Sequence, residues 1–309
     1  VNWKFIKEGD IIDVIAPGYA VGAEEIEGGR RFLENWKLQP RIPKNIIKPH
    51  FLHAHDDEVR FEFLKKALLS EDSNTIWCLR GGYGSNRLLP YLAKMKKPKK
   101  EKLVIGISDI TSLHNFFIQE WGWKTLHAPL LDRLGRGQVS KKHEKELKDL
   151  LFGKTQEIEF KKLKPLNEKA KSLKSKRSRI VGGNLTVLQS SLGTPWQIDA
   201  RNAFLFVEDI GERGYRIDRM FEQFEQAGIF KGCHGLILGD FIGGEEPATK
   251  KNNFKKVFAR WAGDLNIPVF TGFEAGHAMI QRPVPMNTRC ELSVVNNKTQ
   301  LLIQSGGIA

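Results

Sequence analysis

Short apolar runs alternate with amphipathic stretches through the first half of the chain. Ile11–Ala16, Thr75–Leu79 and Leu103–Ile107 are mostly apolar, the pattern of strands buried on both faces. Ala23–Trp36, Asp56–Leu69 and Ser85–Met95 instead carry apolar residues at helical spacing. Asp56 is the expected N-cap of the second helix, with Asp57 and Glu58 in its first turn. A further helical pattern, Thr111–Gln119, follows the third strand. Such alternation predicts a mainly parallel sheet with flanking helices, which binds ligands beyond the carboxyl ends of its strands.

The second half is less regular. Ile180-Val181-Gly182-Gly183-Asn184-Leu185 opens a helix-like run that ends at Leu192. Ala203–Glu208 predicts a strand and Arg216–Ala227 a helix, with short strands at Gly235–Leu238 and Val269–Thr271. Arg289–Val294 and Gln300–Ile303 flank Asn296-Asn297-Lys298 as a hairpin. This half predicts a second, mixed α/β domain.

Charge divides the two halves. The formal net charge is +13, and the segment Lys161–Arg179 holds nine Lys/Arg residues against one acid, Glu168. A solvated interdomain linker accounts for such a run; contact with an anionic polymer is the alternative. The segment lacks the interleaved aromatics of a single-strand nucleic-acid binder, so no nucleic-acid partner is predicted. The expected organisation is an α/β domain over 1–155, a basic linker over 156–179 and a mixed α/β domain over 180–309.

Composition excludes several classes. No run approaches the roughly 20 apolar residues that a membrane span requires. The three cysteines, Cys78, Cys233 and Cys290, are odd in number and far apart, against a disulfide framework. No signal-peptide pattern opens the chain, so the expected location is the cytoplasm, or the periplasm if a leader preceded Val1. His50, His53, His55 and Asp56 lack the i, i+4 histidine pair of a helical zinc motif, so no metal site is predicted. His127, before Ala128-Pro129, is a candidate to line the cleft, with a surface or packing role the stronger expectation.

The candidate chemistry begins at Gly106-Ile107-Ser108-Asp109, where an apolar strand ends and a helix begins. A serine there can hold its hydroxyl at the rim of a sheet, beside the N–H groups of a helix start. Asp109 is placed either as the cap of the following helix or in the chemistry itself. Farther on, Ala203–Glu208 ends in a carboxylate, and Phe273-Glu274-Ala275-Gly276-His277 places a histidine after small residues. Serine, acid, histidine is a chain order used by hydrolases on α/β scaffolds. A hydroxyl nucleophile needs a base to take its proton and an acid to orient that base. Cys78-Leu79-Arg80-Gly81-Gly82-Tyr83-Gly84 is a glycine-rich loop after a strand, without the Lys-Ser/Thr of a Walker motif.

These segments resemble the LD-carboxypeptidase family of serine peptidases, which includes the microcin-immunity hydrolases. Gly9–Pro17, Arg80–Gly84, Gly106–Asp109, Glu208–Glu212 with Tyr215–Arg219, and Gly276-His277 match its motifs in order. The resemblance implies Ser108 as nucleophile, His277 as general base and Glu208 as its orienting partner. It also implies the N–H groups of Gly82 and Asp109 as oxyanion donors. Arg80, Tyr83 and Trp196 complete the candidate substrate contacts. The implied reaction removes the C-terminal D-alanine of the murein tetrapeptide, without cofactor or metal, in a homodimer. The same triad would serve an immunity-type hydrolase of peptidyl-nucleotide antibiotics, and a non-enzymatic binder of an anionic polymer is the reading from a different class. Two departures stand out. Asn287 replaces a glycine in the turn after the histidine, and Gly18 replaces a serine after Ala16-Pro17. Asn tolerates positive φ, so that turn is expected to survive.

Overall fold

Side-chain alternation along the N-terminal strands sets the layering of the first sheet. Trp77, Leu103 and Ile105 join one buried cluster, while Ile76, Cys78 and Val104 join another. Successive residues of a strand point to opposite faces, so this sheet is covered on both. The first cluster takes in Phe32 and Leu33 of the helix Ala23–Asn35 and Leu131 of Leu131–Gly135. The second takes in Phe61 and Leu64 of Asp57–Leu69, and Leu113 and Phe116 of Thr111–Trp121. The computed structural model describes residues 3–48, 50–295 and 298–308.

The strand order of this six-stranded sheet is Val284–Met286, Thr125–His127, Leu103–Gly106, Ser73–Cys78, Ile11–Ile15, Gln39–Arg41. Every pairing is parallel except that of Val284–Met286, which runs antiparallel to Thr125–His127. The C-terminal half thus contributes an edge strand to the N-terminal sheet. The predicted helix Ser85–Met95 is a 3-10 turn, Ser85–Leu88, followed by a short α-helix, Leu89–Ala93. Asp56 occupies its predicted N-cap position, but its side chain makes no capping hydrogen bond.

A second sheet of eight strands fills the C-terminal half. Its order is Glu157–Phe160, Lys298–Gln304, Arg289–Val295, Ser175–Asn184, Phe204–Ile210, Gly235–Ile242, Val269–Thr271, Lys164–Pro165. The long strand Ser175–Asn184 joins its two parts. Residues 175–179 pair antiparallel with 289–293, and residues 180–184 pair parallel with 204–208. Both predicted hairpin strands are present; Asn296 and Asn297 lie outside the described residues.

Two expectations are corrected here. Residues 156–179, predicted as a linker, carry the strands Glu157–Phe160 and Lys164–Pro165, the short helix Glu168–Lys171 and the first half of Ser175–Asn184. Their cations lie on the solvated face and pair with neighbours: Lys161 with Glu159, Lys162 with Glu274, Arg177 with Glu291. Exposed pairs of this kind contribute at most about 1 kcal/mol each. Residues 180–184, predicted to open a helix, are the buried half of the central strand, and the helix begins only at Leu185. Among the described residues no helix is long and apolar enough to cross a membrane.

The two halves meet where this central strand ends. Asn184 donates its backbone N–H to Thr111 Oγ1 at 3.0 Å, at the start of the helix after Ser108. Gly183 has φ +136°, and a Cβ there would lie 2.5 Å from the same Oγ1. We therefore expect Gly183→Ala to destabilise the protein by at least about 1 kcal/mol in denaturant unfolding. Gly263→Ala, in the helix Phe254–Asp264 with nothing within 4 Å, is expected to stabilise by up to about 1 kcal/mol.

Candidate active site

Ser108 follows the buried strand Leu103–Gly106 and opens a short 3-10 turn, Ser108–Ile110, that runs into the helix Thr111–Trp121. Its φ is +65°, uncommon for a residue with a Cβ. A serine held in this strained backbone at a strand-to-helix elbow lifts its hydroxyl off the sheet edge. The glycine-rich loop lies directly against it: a Cβ on Gly81 would sit 2.9 Å from Ser108 Cβ and 3.3 Å from its Oγ. Gly18 is equally close to this loop, since a Cβ there would meet Gly81 O at 2.3 Å. That contact explains why glycine stands after Ala16-Pro17 in this chain.

Asp109 is buried and turns away from its own helix. Its carboxylate accepts the Ser85 N–H at 2.8 Å, the Ser85 hydroxyl at 2.6 Å and the Gly84 N–H at 3.3 Å. Burial pushes this carboxyl up from the ordinary range, against the pull of those donors. Asp109 is therefore a tether between the elbow and the 80–84 loop, and the predicted cap of the following helix is not formed.

Glu208 is fully buried near the end of Phe204–Ile210. The pairing with Gly235–Ile242 shifts register there: Val207 faces Leu238 while Asp209 faces Phe241, so Gly239 and Asp240 lie opposite Glu208. Such a bulge re-aims a side chain. Glu208 Oε2 accepts a 2.6 Å hydrogen bond from His277 Nδ1. Gly276 makes room for this contact, because a Cβ there would lie 3.0 Å from Oε2. Arg133 from the N-terminal half donates to the His277 carbonyl at 3.3 Å.

The electrostatics follow from this burial. Desolvation alone would push the Glu208 carboxyl up, but His277 and His127 outweigh it and hold it below the ordinary range. Burial also works against a charged His277, yet the adjacent carboxylate holds its imidazole above the model-peptide value of 6.5. Two neighbouring carboxyls move the other way. Asp240 is pushed up to about 7 and Asp209 to about 6, each by burial first and the Glu208 charge second. Asp209 is tied to structure: it accepts from Asn184 Nδ2, Thr186 N–H and Thr186 Oγ1. All three cysteines are buried, and burial raises their thiols, Cys233 and Cys290 to about 12, which leaves no thiolate nucleophile.

The remaining predicted residues make separate contacts. Arg80 sits over the Tyr19 ring, 5.6 Å from its centroid, and Tyr83 is 44% exposed against His53. Trp196 packs near Phe116, and its carbonyl accepts from Asn115 on the helix after Ser108. Asn287 has φ +59°, as expected of a residue standing in for glycine, and its amide donates to Trp123 O. His127, for which the sequence left cleft, packing and surface roles open, is fully buried, and its approach to Glu208, Nε2 4.0 Å from Oε1, was not anticipated. Its one signal in the sequence is its place at the end of a strand, the same place that marks Ser108 and Glu208.

Known proteins match nearly the whole chain. Residues 12–128 match the LD-carboxypeptidase N-terminal domain and residues 177–292 the LD-carboxypeptidase C-terminal domain. A Rickettsia conorii protein named as a carboxypeptidase is 41% identical over 239 residues, 77% of this chain and 74% of its own. The "probable murein peptide carboxypeptidase" of Bacillus subtilis is 30% identical over 94% of this chain and 91% of its own. The crystal structure of muramoyltetrapeptide carboxypeptidase from Oxalobacter formigenes superposes with a TM-score of 0.84 at 29% identity, over 95% of this chain and 98% of that one. With both family domains matched in order on a two-sheet α/β fold, this chain belongs to the LD-carboxypeptidase family of serine peptidases.

Proposed function

We propose that this protein is a serine LD-carboxypeptidase that removes the C-terminal D-alanine from the murein tetrapeptide. The observation that carries the reading is the buried Glu208–His277 hydrogen bond, which occupies Nδ1 and leaves Nε2 as the free base nitrogen. The strained elbow at Ser108 and the relatives named for murein peptides support it.

In this mechanism Ser108 Oγ attacks the carbonyl carbon before the terminal D-alanine and gives its proton to His277 Nε2. Glu208 holds the tautomer and stabilises the imidazolium that forms. The N–H groups of Gly82 and Asp109 hold the oxyanion. As the tetrahedral intermediate collapses, the C–N bond breaks, and His277 returns the proton to the leaving amine. Water, deprotonated by His277, then attacks the acyl-enzyme and frees Ser108 together with the tripeptide acid. Arg80 and Tyr83 flank the bound peptide from the 80–84 loop, and Trp196 supports the helix behind the elbow.

Mass spectrometry of a murein tetrapeptide incubated with the protein tests this directly. Wild type should release D-alanine, a chelator should leave the rate unchanged, and Ser108→Ala should abolish release. Activity that survives Ser108→Ala, or is lost with the chelator, would overturn the mechanism. Turnover of an aminoacyl-sulfamoyl adenosine with the tetrapeptide left intact would overturn the substrate and keep the triad.

The pH profile has a definite sign. His277 must lose its proton to act as base, and Glu208 raises the pH at which it does so. The acid limb of kcat/KM should therefore have its midpoint above 6.5. Glu208→Gln should lower that midpoint and reduce kcat by roughly a thousandfold or more. A midpoint that stays in place in Glu208→Gln would contradict the pairing.

A further inference from the structure

Two buried polar groups face each other where the sheets meet. Glu208 Oε1 and both ring nitrogens of His127 have no hydrogen-bond partner among the described residues, and both side chains are fully buried. His127 Nε2 lies 4.0 Å from Glu208 Oε1. That distance is too long for a hydrogen bond, yet a shift of about 1 Å would close it. Leaving a buried donor and a buried anionic oxygen both unmade is costly, and such a pair requires an explanation.

Phe206, His114 and Glu208 surround His127. Its backbone is fixed between the nucleophile strand, where it lies opposite Gly106, and the return strand, where it lies opposite Val284. Phe206 meets the ring edge to face at 5.1 Å, from the same strand as Glu208 and two residues before it. His114 stands 6.5 Å away on the other side, with its own Nε2 engaged by Gly106 O at 2.8 Å. Phe206 offers the ring no acceptor, His114 keeps an unpartnered Nδ1 on a ring 6.5 Å away, and the charged oxygen near Nε2 is Glu208 Oε1 at 4.0 Å.

We propose that His127 is a positioning residue of this active site, whose Nε2–H donates to Glu208 Oε1 so that one carboxylate is held between two imidazoles. The inference rests on the reading that Glu208 and His277 serve Ser108. His277 takes Oε2 and His127 takes Oε1, so neither oxygen is free to rotate. Because His127 is hydrogen-bonded into the sheet of the nucleophile strand, it also holds the acid of one half in register with the serine of the other. The positive end of its N–H faces the carboxylate and opposes protonation of His277 beyond it. The other charged groups around the pair are Asp209 on the same strand, Asp240 on the neighbouring strand, Arg133 on Leu131–Gly135 and Glu274 before the histidine. All of these stay constant when only His127 is changed.

The test compares wild type with His127→Leu, which removes the donor, and His127→Gln, which keeps one. Each is measured for kcat and KM on the murein tetrapeptide, and for titration of the His277 ring by NMR without substrate. In His127→Leu, kcat should fall roughly tenfold or more with KM within about twofold, the effect of losing one hydrogen bond to a charged group. His277 should hold its proton to higher pH. His127→Gln should restore both toward wild type. If kcat falls while the His277 titration stays in place, or if Gln fails to rescue, His127 only packs and the proposal is overturned. Should His127→Leu not fold, His127→Asn takes its place, because its amide is too short to reach Oε1. Should wild type leave the tetrapeptide intact, the substrate reading fails, and the NMR titration still decides the coupling of His127, Glu208 and His277.

Discussion

A carboxylate with no exposure to solvent is the constraint around which this protein is arranged. An ionised Glu208 at this depth is tolerable only with a charged or polar partner held at short range. His277 supplies it at 2.6 Å, and several local features exist to allow that distance. The register shift opposite Glu208 aims its side chain, and Gly276 keeps the histidine loop free of a clashing Cβ. The carboxylate in return holds His277 in the tautomer that leaves Nε2 available.

The same logic recurs one residue beyond Ser108 and Glu208. Asp109 follows Ser108 and Asp209 follows Glu208, and neither points where its neighbour points. Asp109 binds the start of the 3-10 turn at Ser85, which fixes the glycine-rich loop beside the elbow. Asp209 binds Asn184 and Thr186, which fixes the strand end that touches Thr111. Ser108 and Glu208 each thus sit between a strand that supplies depth and a buried aspartate that locks the adjoining loop. The return strand Val284–Met286 carries the chain from His277 back into the first sheet, so the two halves are joined on both sides of the site.

Much of this was legible in the residues. The N-terminal strands are continuous apolar runs, so their ends, and hence the position of Ser108, follow from pattern alone. The Glu208–His277 pair was anticipated from chain order, from the apolar run that ends at Glu208, from the small residues before His277 and from the family resemblance. The segment 156–179 was not, because its strands expose lysines and arginines on one face and find their partners in a hairpin more than a hundred residues later. Gly182 and Gly183 concealed the central strand, since glycine weakens strand propensity; Gly182 is used here for close approach to the Phe206 backbone and Gly183 for close approach to Thr111 on the helix after Ser108. The partner of His127 was hidden for another reason. A lone histidine at a strand end carries no partner in its sequence neighbourhood, and the carboxylate it faces lies 81 residues away in the other half.

The central claim is that the Ser108 hydroxyl is activated by a base from the opposite half of the chain. Labelling with a fluorophosphonate, followed by peptide mapping, measures that activation without assuming any substrate. The account predicts a single adduct on Ser108 in wild type and its loss in His277→Ala. An adduct on another residue, or labelling of Ser108 at the wild-type rate without His277, would contradict it.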